Sequence, residues 1–167
     1  MMKKETMNIL WAPWRISFIK KIKSKKCFLC EISNKKESEF LLWKGMHTMV
    51  VMNIYPYNNG HLMIAPIKHK KDFDRIHEKE VCEMFNILKT TIHILNKTLK
   101  PHGFNIGINL GRCAGAGLPG HLHIHIVPRW NGDTNFMPAL ASTKVISQSL
   151  EELSRILKKE FSTIKKG

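Results

Sequence analysis

Residues 121–127 read His-Leu-His-Ile-His-Ile-Val. In an extended strand successive side chains point to opposite faces. His121, His123 and His125 then share one face, and Leu122, Ile124 and Ile126 share the other and can enter a core. Imidazole titrates near neutral pH, attacks phosphorus or carbon, carries protons and binds metals. Three imidazoles in a row are hard to explain by packing; the alternative, a solvent-facing polar strand that happens to use histidine, is disfavoured by the unbroken Leu/Ile row behind them and the small residues that lead in. The middle one, His123, has a neighbour on each side to orient it. If it is a nucleophile, its attacking nitrogen must be unprotonated. Its other ring nitrogen should then donate to a fixed acceptor such as a backbone carbonyl. His125 lies one step further along, placed to hydrogen-bond a phosphate oxygen or a leaving oxygen.

The residues leading into this stretch are small. Asn109-Leu-Gly-Arg-Cys-Ala-Gly-Ala-Gly-Leu-Pro-Gly120 is rich in glycine and alanine and carries one positive charge, Arg112. Such a loop lets backbone N–H groups converge on an anion. Alone it reads equally as an ordinary flexible connection. Beside three aligned histidines it points to a phosphorus atom held by amides and attacked by imidazole.

The elements that must hold these groups are legible from pattern. Residues 40–43 and 48–55 read as strands, 56–60 as a turn signalled by Asn-Asn-Gly, and 61–65 as the returning strand. Residues 77–99 form the clearest helix, with Val81, Met84, Phe85, Leu88, Ile92, Leu95 and Leu99 expected on its buried face, ended by Pro101 and Gly103. Residues 104–110 read as a strand, 121–127 as the histidine strand and 145–162 as a second, amphipathic helix. The sum is an α+β fold with an antiparallel sheet. Residues 1–26 form a basic arm with Trp11, Trp14 and Phe18, 27–140 the main domain, and 141–167 a helix and tail packed on it.

At 167 residues the chain is enough for one domain with a real core. Its formal net charge is +14. The lysines are scattered, at 20–26, 68–71, 97–100 and the end of the chain, as on a solvated surface. That pattern argues against a dedicated nucleic-acid groove and suits attraction of a small polyanion. No apolar run reaches membrane-spanning length, and Met-Met-Lys-Lys-Glu-Thr is not followed by a signal-peptide core. A cytoplasmic location is expected. There, the spacing Cys27-Phe-Leu-Cys30 suits metal binding or redox chemistry better than a structural disulfide.

These motifs resemble the histidine triad (HIT) family, whose signature is His-x-His-x-His followed by apolar residues. The likeness extends to Asn53-Ile-Tyr-Pro-Tyr-Asn-Asn-Gly-His61-Leu-Met-Ile-Ala-Pro66, to 128–138 (Pro-Arg-Trp-Asn-Gly-Asp-Thr-Asn-Phe-Met-Pro) and to Leu10-Trp-Ala-Pro-Trp-Arg15. It covers roughly residues 8–140. It is specific to a branch with bacterial diadenosine tetraphosphate phosphorylases and relatives of the fragile-histidine-triad hydrolases. The resemblance implies a five-stranded sheet with a long helix and a C-terminal helix, commonly in a two-fold dimer. It makes His123 the nucleophile and His61 the fourth histidine behind the triad. Attack on an α-phosphorus forms a nucleotidyl-histidine, which water or inorganic phosphate resolves. Amides near Ala116, Gly117 and Leu118 would stabilise the oxyanion, Asn53 would contact the nucleoside, and Asn109 is a candidate phosphate ligand. Phosphorylases of the branch carry a hydroxyl residue where this loop reads Gly115-Ala-Gly117, so hydrolysis is favoured over phosphorolysis. Mg²⁺ would accompany the polyphosphate.

In zinc-bearing members of the superfamily the ligands resembling Cys27 and Cys30 are joined by two resembling His69 and His121. A structural zinc is the expectation, with two reduced, packed cysteines as the alternative. With zinc bound, His121 is structural, anchors the histidine strand and is not a proton carrier. Against the enzyme stand a nucleotide-binding module with little turnover and a basic nucleic-acid-binding protein.

Overall fold

The computed structural model describes residues 27–35, 38–111, 113–115, 120–134, 146 and 148–164. The N-terminal arm, Ala116, Gly117 and Leu118 lie outside them. Helix α1 (Phe28–Asn34) precedes strands β1 (Leu41–Lys44), β2 (Thr48–Met52) and β3 (Leu62–Pro66). A 3-10 turn (Phe73–Arg75), helix α2 (Glu78–Leu99), strands β4 (Gly103–Ile108) and β5 (Ile124–Arg129) and helix α3 (Leu150–Phe161) follow. The strands form one antiparallel sheet in the order β1-β2-β3-β5-β4, the expected α+β architecture.

One sheet face carries Val50, Met52, Leu62, Ile64, Leu122, Ile124 and Ile126 and is covered by α2 and α3. A register shift between Leu41 and Trp43 lets the consecutive Leu42 and Trp43 both enter this core. Helix α3 contributes Leu153, Leu157 and Phe161, four residues apart on one stripe. It starts at Leu150, later than expected, where Ser149 accepts from the Glu152 N–H at 3.1 Å. The opposite sheet face carries Met49, Val51, Met63 and Ala65, packed under Leu29 and Ile32 of α1. Helix α1 is absent from the sequence reading because its seven residues offer too few turns for a helical period to show.

Helix α2 buries Met84, Ile87, Leu88, Thr91, Ile94 and Leu95. Phe85, expected inside, is 52% exposed. The buried stripe centres on the Met84–Leu88–Leu95 row, and Phe85, about 100° further round, falls outside it. The helix starts where the Glu80 carboxylate accepts from the His77 N–H at 2.8 Å and pairs with the Lys70 ammonium. Burial pushes the Glu80 carboxyl up, but the Lys70 and His77 bonds outweigh this and hold it below its ordinary value. Lys70 is also a backbone anchor, its carbonyl accepting from the Leu122 N–H at 2.7 Å.

That contact explains where β5 begins. The expected strand starts at His121, but the ladder with β3 runs only from Leu62↔Ile126 to Ile64↔Ile124. The next residue of β3 facing β5 is Pro66, which has no N–H to offer. The chain leaves the ladder there. His121 and His123 thus precede the strand, and the alternation of apolar and histidine side chains survives.

Candidate active site and metal cluster

The three histidines lie on the α1 side of the sheet, His125 opposite Met63 of β3 and Gly107 of β4. Helix α1 roofs this face over β2 and β3. Over β4 it is open among the described residues, with Asn105 and Gly107 exposed. His61, His121, His123 and His125 are all buried, at 2, 2, 4 and 9% exposure. The row of three divides into two tasks.

His123 and His125 face each other edge to plane, ring centres 4.6 Å apart. His123 Nδ1 donates to the His121 carbonyl at 2.8 Å, the fixed acceptor a nucleophilic imidazole needs. The Nε2 nitrogen is then the lone-pair nitrogen. Burial lowers the His123 pKa, more than the His121 carbonyl raises it, so the ring is neutral at pH 7.

His61 sits behind His125. The Tyr57 backbone N–H donates to His61 Nδ1 at 3.0 Å, and the Asn53 side-chain amide lies 3.2 Å from the same nitrogen. A backbone N–H only donates, so Nδ1 accepts and Nε2 carries the proton. His61 Nε2 is 2.9 Å from His125 Nδ1 and donates to it. His125 must then carry its own proton on Nε2, a buried atom without a partner among the described residues. Burial, with the neighbouring imidazoles, lowers His61 to about 3 and His125 to about 4. The site presents one aimed lone pair and one aimed N–H, both on uncharged rings.

His121 belongs to the second task. Its Nε2 donates to the Pro66 carbonyl at 2.8 Å, leaving Nδ1 as the lone-pair nitrogen. Nδ1 is 3.3 Å from Cys27 Sγ and 3.5 Å from Cys30 Sγ, and His69 Nδ1 is 3.3 Å from Cys30 Sγ. The four donor atoms lie within 4.8 Å of one another. A tetrahedral zinc with bonds of about 2.0–2.3 Å sets its donors roughly 3.3–3.8 Å apart. The donor set, two thiols and two imidazoles with the His121 lone pair aimed by Pro66, fits zinc. Burial and the Cys27 thiol raise the Cys30 pKa to about 11. A metal must therefore displace that proton on binding.

Asn53 accepts from the Tyr55 N–H at 2.9 Å and serves His61. Asn109, half-buried beyond β4, reaches the Gly115 carbonyl at 3.4 Å. The sequence reading missed Tyr57, a residue 46% exposed whose ring centre is 4.6 Å from His61 and 5.8 Å from His125. Its one available signal was its place in the Tyr-Pro-Tyr-Asn turn beside His61. The carbonyls of Pro66 and Lys70 had none, because backbone partners leave no side-chain signature.

Comparison with known proteins accords with this geometry. The HIT domain family model matches residues 34–132, and the chain belongs to that family. AP-4-A phosphorylase of Mycobacterium tuberculosis is 33% identical over 169 residues, covering 95% of this chain and 87% of the relative. A bis(5'-nucleosyl)-tetraphosphatase (asymmetrical) of Schizosaccharomyces pombe is 28% identical over 82 residues, covering 49% of this chain and 44% of the relative. The crystal structure of a zinc-bound histidine triad family protein from Mycobacterium smegmatis superposes with TM-score 0.66. It is 24% identical and covers 82% of this chain and 94% of its own, which shows the fold.

Proposed function

We propose that this protein is a nucleotidyl-transferring enzyme of dinucleoside polyphosphates such as diadenosine tetraphosphate, working at the α-phosphorus through His123. The observation that carries the reading is the His123 Nδ1–His121 carbonyl bond, which leaves Nε2 as the unprotonated nitrogen. In the first step the Nε2–P bond forms and the P–O bond to the leaving phosphate breaks, its electron pair going to that oxygen. A phosphate leaving group has a second pKa of about 6 and departs without a proton. His125 Nε2–H stabilises it by hydrogen bonding. The positive charge that develops on the His123 ring is stabilised through Nδ1–H by the His121 carbonyl. In the second step water attacks phosphorus, the N–P bond breaks with its pair returning to Nε2, and one proton goes to solvent. Inorganic phosphate in place of water yields the nucleoside diphosphate.

Hydrolysis is favoured by the lack of a hydroxyl in Gly115-Ala-Gly117, and phosphorolysis by the likeness to the mycobacterial phosphorylase. Incubating the protein with diadenosine tetraphosphate, with and without inorganic phosphate, decides between them. AMP and ATP mean hydrolysis, and ADP formed only with phosphate means phosphorolysis. Tight binding without products leaves a nucleotide-binding module and refutes the enzyme.

The same reading places zinc on Cys27, Cys30, His69 and His121, where it would tie α1 to the lead-in of β5 and supply no chemistry to the nucleotide. Magnesium is taken as the counter-ion of the polyphosphate. Asn109 and the amides of Ala116, Gly117 and Leu118 are the proposed phosphate ligands, and Asn53 a nucleoside contact. Residues 27–140 are taken as the catalytic domain, between the 1–26 arm and the 141–167 segment. A homodimer is supported by β4, a sheet-edge strand with Ile106 44% exposed. A cytoplasmic location is supported by the free thiols of the cluster, and no described helix is long and apolar enough to cross a membrane. The charge of +14 is read as nucleotide attraction, without nucleic acid as partner.

A further inference from the structure

The open half of the triad face has an order set by strand register. Along β4, Gly107 is the cross-strand partner of His125, and Asn105 that of Val127. Directly paired residues of antiparallel strands put their side chains on the same face. Asn105 and Gly107 therefore lie beside the histidines, with Asn109 two residues further on toward His123. Gly107 leaves the space next to His125 empty among the described residues, since a Cβ built there meets nothing within 4 Å. Asn105 is not free to turn. Its Oδ1 accepts from Arg129 Nη1 at 2.7 Å, and Arg129 is itself held by Asp133 through Nε at 2.6 Å and Nη2 at 2.8 Å. Asp133 is in turn bonded by the buried Asn58 side chain at 2.8 Å. A guanidinium only donates, so it takes the oxygen of the Asn105 amide and leaves the –NH₂ end for another acceptor.

In-line displacement puts the leaving oxygen on the side of phosphorus away from the attacking nitrogen. The attacking atom belongs to His123, and the aimed donor next along the face is His125 Nε2. The leaving chain then passes His125 and continues over Gly107 toward Asn105. We propose that Gly107 and Asn105 form the seat of the leaving nucleotide, Gly107 by the gap it leaves and Asn105 by an amide donor that Arg129 orients toward phosphate or ribose oxygens. This rests on nucleotidyl transfer at His123. It adds selectivity for a long oxygen-rich leaving group over a small one.

The test compares two substrates with the same adenylyl group, diadenosine tetraphosphate and adenosine 5'-phosphoramidate, whose leaving group is only ammonia. The readout is the ratio of their kcat/KM values in G107V and N105A. Valine at 107 meets open space on a strand where β-branched residues are favoured, and the melting temperature of each variant is checked. The expected result is a fall in the ratio of tenfold or more against wild type, carried by KM for the tetraphosphate in N105A. A ratio unchanged in both variants overturns the seat while leaving nucleotidyl transfer standing. A wild-type protein that converts neither substrate overturns both.

Discussion

The Tyr57 main-chain N–H and the His125 ring sit on opposite edges of one imidazole, at 3.0 and 2.9 Å from the two nitrogens of His61. A backbone group that cannot change its hydrogen thus dictates the tautomer of His61, and through it that of His125. Replacing His61 with Leu removes the donor to His125 Nδ1 and the acceptor of the Tyr57 N–H. H61L should lose about 10²-fold in kcat or more, with little change in KM. It should also lose about 1 kcal/mol of stability with the hydrogen bond from Tyr57. H61Q, whose amide can both accept and donate, should recover part of kcat. Equal kcat in H61L and wild type would remove the relay.

His123 should be indispensable in a different way. H123A is expected to lower kcat by about 10³-fold or more while nucleotide binding persists. A nucleotide trapped on wild-type protein should survive alkali, be lost in acid and map to His123, not to His121 or His125. Two displacements retain configuration at phosphorus. Inversion with a chiral phosphorothioate in ¹⁸O-labelled water would exclude the covalent route.

Elemental analysis of protein purified without added metal should find about one zinc per chain. C27S and H69A should lower both zinc content and melting temperature, because ligand binding by the native state adds to folding stability. A loss of 2 kcal/mol corresponds to about 4–8 °C for a domain of this size. Metal-free wild-type protein of unchanged stability would reduce the cysteines to packing groups.

Acid stability follows from the two relay histidines. Their folded pKa values, about 3 for His61 and about 4 for His125, lie below the unfolded value of about 6.5. Between those limits the unfolded chain binds more protons, so stability is full above about pH 6.5 and is lost as pH falls toward 4 and 3. Each pKa unit is about 1.4 kcal/mol, so the combined loss is on the order of several kcal/mol. Melting temperature measured from pH 7.5 to 4 should fall steeply, and less steeply in H61Q. A flat profile would show that these rings are not buried as neutral groups.

Much of this protein was legible in its residues. Period-two alternation over 121–127 placed Leu122, Ile124 and Ile126 in one core and the histidines on the other side, because the strand geometry that separates them is local. The 3.6-residue repeat found α2 for the same reason, and spacing alone paired Cys27 with Cys30. Tertiary structure decided what local rules cannot reach. Phe85 turned outward because the buried stripe of α2 is chosen by the sheet beneath it. The histidine row split between two jobs because Pro66 has no N–H to extend the β3–β5 ladder. That leaves the Pro66 carbonyl to aim His121 at the cysteines, while the His121 carbonyl aims His123. The partner of His121 is a main-chain atom 55 residues away, and that of His123 is one two residues away. Their positions are set by strand register, which emerges only when the sheet is assembled.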